Sequence, residues 1–159
     1  MNNKLLFPVV AVAFMTVGTL DALAQSSMTG GGTLTFGQNS PEIVELADGR
    51  SLLRTSNSGV YVADDPTGPF HLATQDCRGT VVIGTDDSPP INRGYCDCVD
   101  ADGDVWWISY TNNLDTGSWR ILGGTGKFAG MEGGGSTEFL LNLPDGRLVL
   151  RWDGSWEMP

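Results

Sequence analysis

The stretch Gly123–Ser136, "GGTGKFAGMEGGGS", is half glycine and carries Lys127 near its middle. A glycine run with a lysine has two opposed readings, a phosphate-binding loop or a shape element of a β-sheet. The phosphate loop G-x-x-x-x-G-K-[ST] needs glycine five residues before Gly126 and Ser or Thr after Lys127. Ile121 and Phe128 hold those places, so that loop is excluded. Gly124, Gly126 and Ala129 do match the dinucleotide spacing. That spacing binds a pyrophosphate only where a helix N-terminus follows. Here more glycine and then "STEFLLNL" follow, a sequence for strand. The sheet reading remains: "WRIL" is a strand, "GGTG" a tight connection, and "KFAG" begins the next strand or a bulge. The other glycines let neighbouring strands approach closely and curve.

Working outward, the last strand is the clearest. From Arg147 to Glu157, Leu148, Leu150, Trp152, Gly154 and Trp156 alternate with Arg147, Val149, Arg151, Asp153, Ser155 and Glu157. That period of two gives one apolar face and one polar face. So long a one-faced strand suits a closed or strongly curved sheet. "PDGR" (144–147) and "ADGR" (47–50) each join two apolar stretches and read as similar hairpins, and "DADGD" (100–104) makes a third. Further strands are predicted at Thr33–Gly37, Gly59–Ala63, Thr80–Ile83 and Trp119–Leu122. "DDPTGP" and "DDSPPINRG" read as loops, because clustered proline and acid break helix and sheet alike. Many short strands at close spacing, with no sustained helical period, predict an all-β sandwich or barrel.

The motif "GGTGKFAGMEGGG" resembles the glycine-rich segment of dirigent proteins and is similar to the related segment of allene oxide cyclases. Together with "GYC", "DADGD" and the late tryptophans, it is also similar to small exported bacterial proteins of uncharacterised function. The resemblance implies a single closed antiparallel β-barrel of about eight strands, and more about fold than about activity. It transfers no catalytic residue, because no pocket position of those families can be matched here. The expected organisation is a signal peptide over 1–24, a disordered tail over 25–32 and the barrel over 33–159.

The signal peptide rests on its own features. Lys4 precedes an uncharged apolar run, Leu5–Leu20, and Ala22-Leu23-Ala24 is an A-x-A cleavage site. The run is shorter than the roughly 20 residues that span a bilayer, so no membrane span is expected after cleavage. The protein is expected to be exported, periplasmic or secreted. Its net charge of −10 argues against nucleic acid as a partner. Export places Cys77, Cys96 and Cys98 where disulfides persist. Cys96 and Cys98 point the same way on a strand, so Cys77 pairs with one of them; Cys77–Cys96 is carried forward, with Cys98 as the spare thiol.

Functional signals are few. Asp100, Asp102 and Asp104 alternate as calcium ligands do, but the spacing departs from the EF-hand loop and the flanks are strands. His71 has no nucleophile motif beside it, and no motif calls for a cofactor or a metal. Adjacent Trp106 and Trp107 must face opposite sides of their strand, one inward and one available for an oligomer contact. Trp106, Tyr110, Trp152 and Trp156 are the candidate lining of an interior cavity for an apolar or amphipathic small molecule. The rival reading is a cyclase or isomerase, whose mark would be a buried Glu or Tyr at the cavity floor. A structural, oligomerising module is the third.

Overall fold

The computed structural model describes residues 26–39, 41–84, 89–113 and 115–159. The segment read as a signal peptide lies outside them. Among the described residues nine strands follow in chain order: β1 (Ser26–Gln38), β2 (Glu42–Glu45), β3 (Ser51–Ala63), β4 (Thr74–Ile83), β5 (Ile91–Val99), β6 (Val105–Asn112), β7 (Thr116–Gly124), β8 (Glu132–Asn142) and β9 (Arg147–Met158). Eight close into an antiparallel barrel in the order β1-β9-β8-β7-β6-β5-β4-β3, sealed by β1 against β3. The short β2 lies outside the ring and pairs with the part of β3 that β1 does not reach.

The two-residue period explains the interior. Leu150, Trp152 and Trp156 of β9 are buried, while Asp153, Ser155 and Glu157 on the other face are exposed. Trp106 is 3% exposed and Trp107 36%, so the adjacent tryptophans do split between core and outer face. The hairpins share one device. Gly49, Gly103 and Gly146 all have positive φ, at 83°, 88° and 83°. In both "DGR" turns the aspartate accepts a hydrogen bond from the arginine backbone N–H, at 3.2 Å in each.

Three local expectations are corrected. "KFAG" does not begin a strand. It forms a 3-10 turn over Gly126–Phe128, and β8 starts only at Glu132. Gly126 and Gly130 hold left-handed φ values of 53° and 77°, which turn the chain so that Phe128 enters the barrel. The expected tail over 25–32 is mostly strand: Ser26–Gly32 pairs with β9, from Ser26↔Met158 to Gly32↔Trp152. Its glycines have a packing reason, because a side chain at Gly30 or Gly32 would collide with Trp156 or with the β3 backbone. The expected loop "DDSPPINRG" ends early, since Ile91–Gly94 already belongs to β5.

The two ends of the barrel differ. The base is closed by the β3–β4 and β7–β8 connections, which deliver Phe70 and Phe128. Phe128 is fully buried, with its ring 4.6 Å from Trp106 and stacked 6.0 Å from Phe70. Phe70 also meets Trp156 at 4.6 Å. Beside this plug, Lys127 Nζ lies 2.5 Å from Asp100 Oδ2 and 2.8 Å from Asp102 Oδ2. The "DADGD" hairpin is thereby latched to the plug loop, and the gap between two of its carboxylates is filled by an ammonium group.

Burial pushes the Asp100 carboxyl up, but Lys127 and the backbone N–H groups of Asp104 and Asp102 outweigh it and hold it below its ordinary value. A depressed carboxyl stabilises the fold fully above its unfolded value, about 3.9. That contribution is lost as pH falls through the folded value. Thermal unfolding from pH 6 to pH 2 should therefore show a steeper acid loss for the native chain than for Asp100→Asn. Parallel curves would show that the latch carries no pH-dependent stability.

Candidate functional site

The closed base leaves an interior cavity of about 110 Å³. It lies above the aromatic floor of Phe70, Trp106 and Trp152, with Leu34, Ile108 and Leu150 in its walls. Those residues are buried, whereas Asn57, Asn92, Asn112, Trp119, Thr137 and Phe139, which line the other end of the cavity, are only half-buried. The cavity therefore opens at the pole opposite the plug, through a collar rich in carboxamides. Gln38 completes that collar. Among the described residues, no Asp, Glu, Lys, Arg or His lines the cavity.

One hydrogen-bonded pair sits deep in this space. Tyr61 donates its hydroxyl to Gln75 Oε1 at 2.7 Å, and both side chains are buried. Cys98 Sγ lies 3.9 Å from the same hydroxyl. Burial, reinforced by Cys98, raises the Tyr61 phenol well above its ordinary range. Burial pushes the Cys98 thiol up to about 12; the Tyr61 hydroxyl opposes this, and Asp97 and Asp76 add to it. Both groups stay protonated at neutral pH, and Cys98 is a poor nucleophile. Higher up, burial raises the Tyr110 phenol, partly opposed by nearby Thr55 and Asn92. Tyr110 Oη, Thr55 Oγ1 and Asn92 Oδ1 are nonetheless buried without a well-aligned hydrogen bond, as is Trp152 Nε1.

The candidate residues fall in two groups. Trp106, Tyr110 and Trp152 lie on the cavity wall. Trp156 does not. Two inward positions beyond Trp152 on β9, it packs beneath the floor against Phe70. Cys77 and Cys96 are direct partners across β4 and β5, are joined as a disulfide and line the cavity. The register also explains why Cys98 is spare, since its partner on β4 is Gln75. Tyr61, Gln75 and the collar carboxamides were not singled out from the sequence. Tyr61 and Gln75 sit at inward positions of their strands, but only closure of the barrel brings them together.

No family model matches the chain, and no curated protein matches it. Among solved structures, the chain is similar to the pterocarpan synthase dirigent protein GePTS1. The two share 14% identity and a TM-score of 0.53, over 94% of this chain and 99% of that one. The pterocarpan synthase dirigent protein PsPTS1 matches equally well by identity and TM-score, 14% and 0.53, over 82% of this chain and 96% of the other. At that identity the likeness carries the fold alone: a dirigent-like barrel.

Proposed function

We propose that this is an exported barrel protein that holds a small, largely apolar molecule in its interior. The observation that carries this reading is the one-ended cavity, with an aromatic floor and a polar collar at its mouth. Its volume of about 110 Å³ is below the roughly 300–1,000 Å³ of drug-sized pockets. It is nearer the cavity of about 150 Å³ that takes up benzene. A one-ring ligand, or one ring of a larger ligand, is the fitting size. Trp106, Trp119 and Trp152 line the space and serve as reporters. Titration with one- and two-ring compounds should change tryptophan fluorescence saturably, with matching adducts in native mass spectrometry. An interior that takes up nothing at millimolar concentration would sink the reading.

A second reading is favoured by one feature, the buried Tyr61 at the cavity floor. A cyclase or isomerase steering a reactive intermediate would use such a group, and the dirigent neighbours are named for pterocarpan synthesis. In this chain the Tyr61 proton is already given to Gln75, which favours a positioning role over proton transfer. Tyr61→Phe separates the two readings. Loss of turnover with unchanged ligand affinity supports an enzyme, and a change in affinity alone supports a binder.

Export and assembly belong to the same proposal. The disulfide agrees with an oxidising compartment. Among the described residues no helix is long and apolar enough to cross a membrane. N-terminal sequencing of the exported protein should begin at Gln25. Sedimentation at low concentration tests whether the outward Trp107 serves a homo-oligomer.

A further inference from the structure

The cavity wall is unusual for its chain. The protein has 19 acidic and 9 basic residues, yet among the described residues none of them, nor His71, lines the cavity. Its hydrogen-bonding groups are carboxamides (Gln38, Asn57, Gln75, Asn92, Asn112), one threonine hydroxyl, two phenols and indole N–H groups. The two phenols are held protonated by burial, so they add no charge at neutral pH. Such a wall has both donors and acceptors but nothing that compensates a formal charge. An ion entering it would give up hydration and gain no counter-charge, a penalty that is large in a low-dielectric interior. A neutral molecule with a carbonyl, amide or hydroxyl would lose little, because carboxamides replace its water on both sides.

We infer that the cavity selects by charge neutrality: its ligand is an uncharged ring compound bearing hydrogen-bonding groups, and ions of the same shape are rejected. The apolar ring rests on the floor of Phe70, Trp106 and Trp152, and its polar group stays among the collar carboxamides. This inference rests on the small-molecule reading of the cavity.

Benzamide, benzoate and benzamidinium test it, because the three share a planar shape and differ in charge: neutral, negative and positive. Each is titrated into the oxidised full-length barrel at pH 7, with ligand-observed NMR and tryptophan fluorescence as readouts. Benzamide is expected to bind at least ~30-fold more tightly than either ion, in line with the cost of an unpaired charge. Its affinity should be flat from pH 5 to 8 and insensitive to salt. Comparable binding of all three at the cavity tryptophans would overturn the inference and leave the small-molecule reading standing. A cavity that takes neither benzamide nor any neutral one- or two-ring compound would overturn both. Asn57→Asp adds an independent arm, since it is nearly isosteric and places one carboxylate in the collar. It should raise benzamidinium affinity by about tenfold or more while weakening benzoate further. A benzamidinium affinity that is the same in Asn57→Asp as in the native chain would show that shape, not charge, sets the selection.

Discussion

Replacing Phe128 by alanine should cost about 3–5 kcal/mol, the range for deleting a fully buried aromatic side chain. Phe128 has no exposed surface and sits within an aromatic cluster with Trp106 and Phe70, so neighbours cannot easily collapse into the gap. At roughly 2–4 °C per kcal/mol for a chain of this size, the melting temperature should fall by about 10 °C. A second effect is specific to this site. Phe128 is part of the plug that closes the base, so its loss should leave Trp106 open to a small quencher such as acrylamide. Phe128→Leu should restore most of the stability and most of the shielding. A melting temperature within 2 or 3 °C of the native value would show that loop backbone, not this ring, closes the barrel.

The disulfide carries the next largest effect. Cys77 and Cys96 are 19 residues apart, and a loop of that length gives about 3 kcal/mol in the chain-entropy account. The double change Cys77→Ala with Cys96→Ala should lower stability by that order. Alanine is the better replacement, because serine would bury an unpaired hydroxyl where both cysteines are covered. The disulfide also lines the cavity, so its removal should enlarge the interior and alter ligand size preference. In Cys96→Ala alone, Cys77 and Cys98 should both remain as thiols, because the register sets Gln75, not Cys77, opposite Cys98. A Cys77–Cys98 link in that variant would mean that β5 slips along β4.

Different parts of the molecule were legible in the sequence to different degrees. β9 was readable because one face is buried along its whole length, so its period of two survives from Leu148 to Trp156. The hairpins at Gly49, Gly103 and Gly146 were readable because positive φ leaves glycine as the common choice. The run at 123–136 was read correctly as a shape element, but its content was hidden. It was split between a strand end, a plug and a strand start, and nothing local marks Phe128 as the residue that turns inward. Residues 26–32 looked like a tail because small and polar residues carry no apolar period. Their partner is β9, more than a hundred residues away, and the Trp156 and Trp152 side chains of that strand lie against Gly30 and Gly32. The cavity was the least legible part. Tyr61, Gln75 and Asn92 come from three strands, and only closure of the ring sets them around one space. Trp156 looked the same as Trp152 in sequence, and what separates them is the height of the plug.

Ser26 and Met158 are paired neighbours at the plugged pole, and the mouth lies at the opposite pole. A cargo, tag or surface attached near residue 26 or after residue 158 would thus sit behind the molecule and leave the entrance clear. The barrel can work as a cup held by its foot: anchored through either end, it still faces solution with its opening, and two different attachments can share that foot without competing with the ligand.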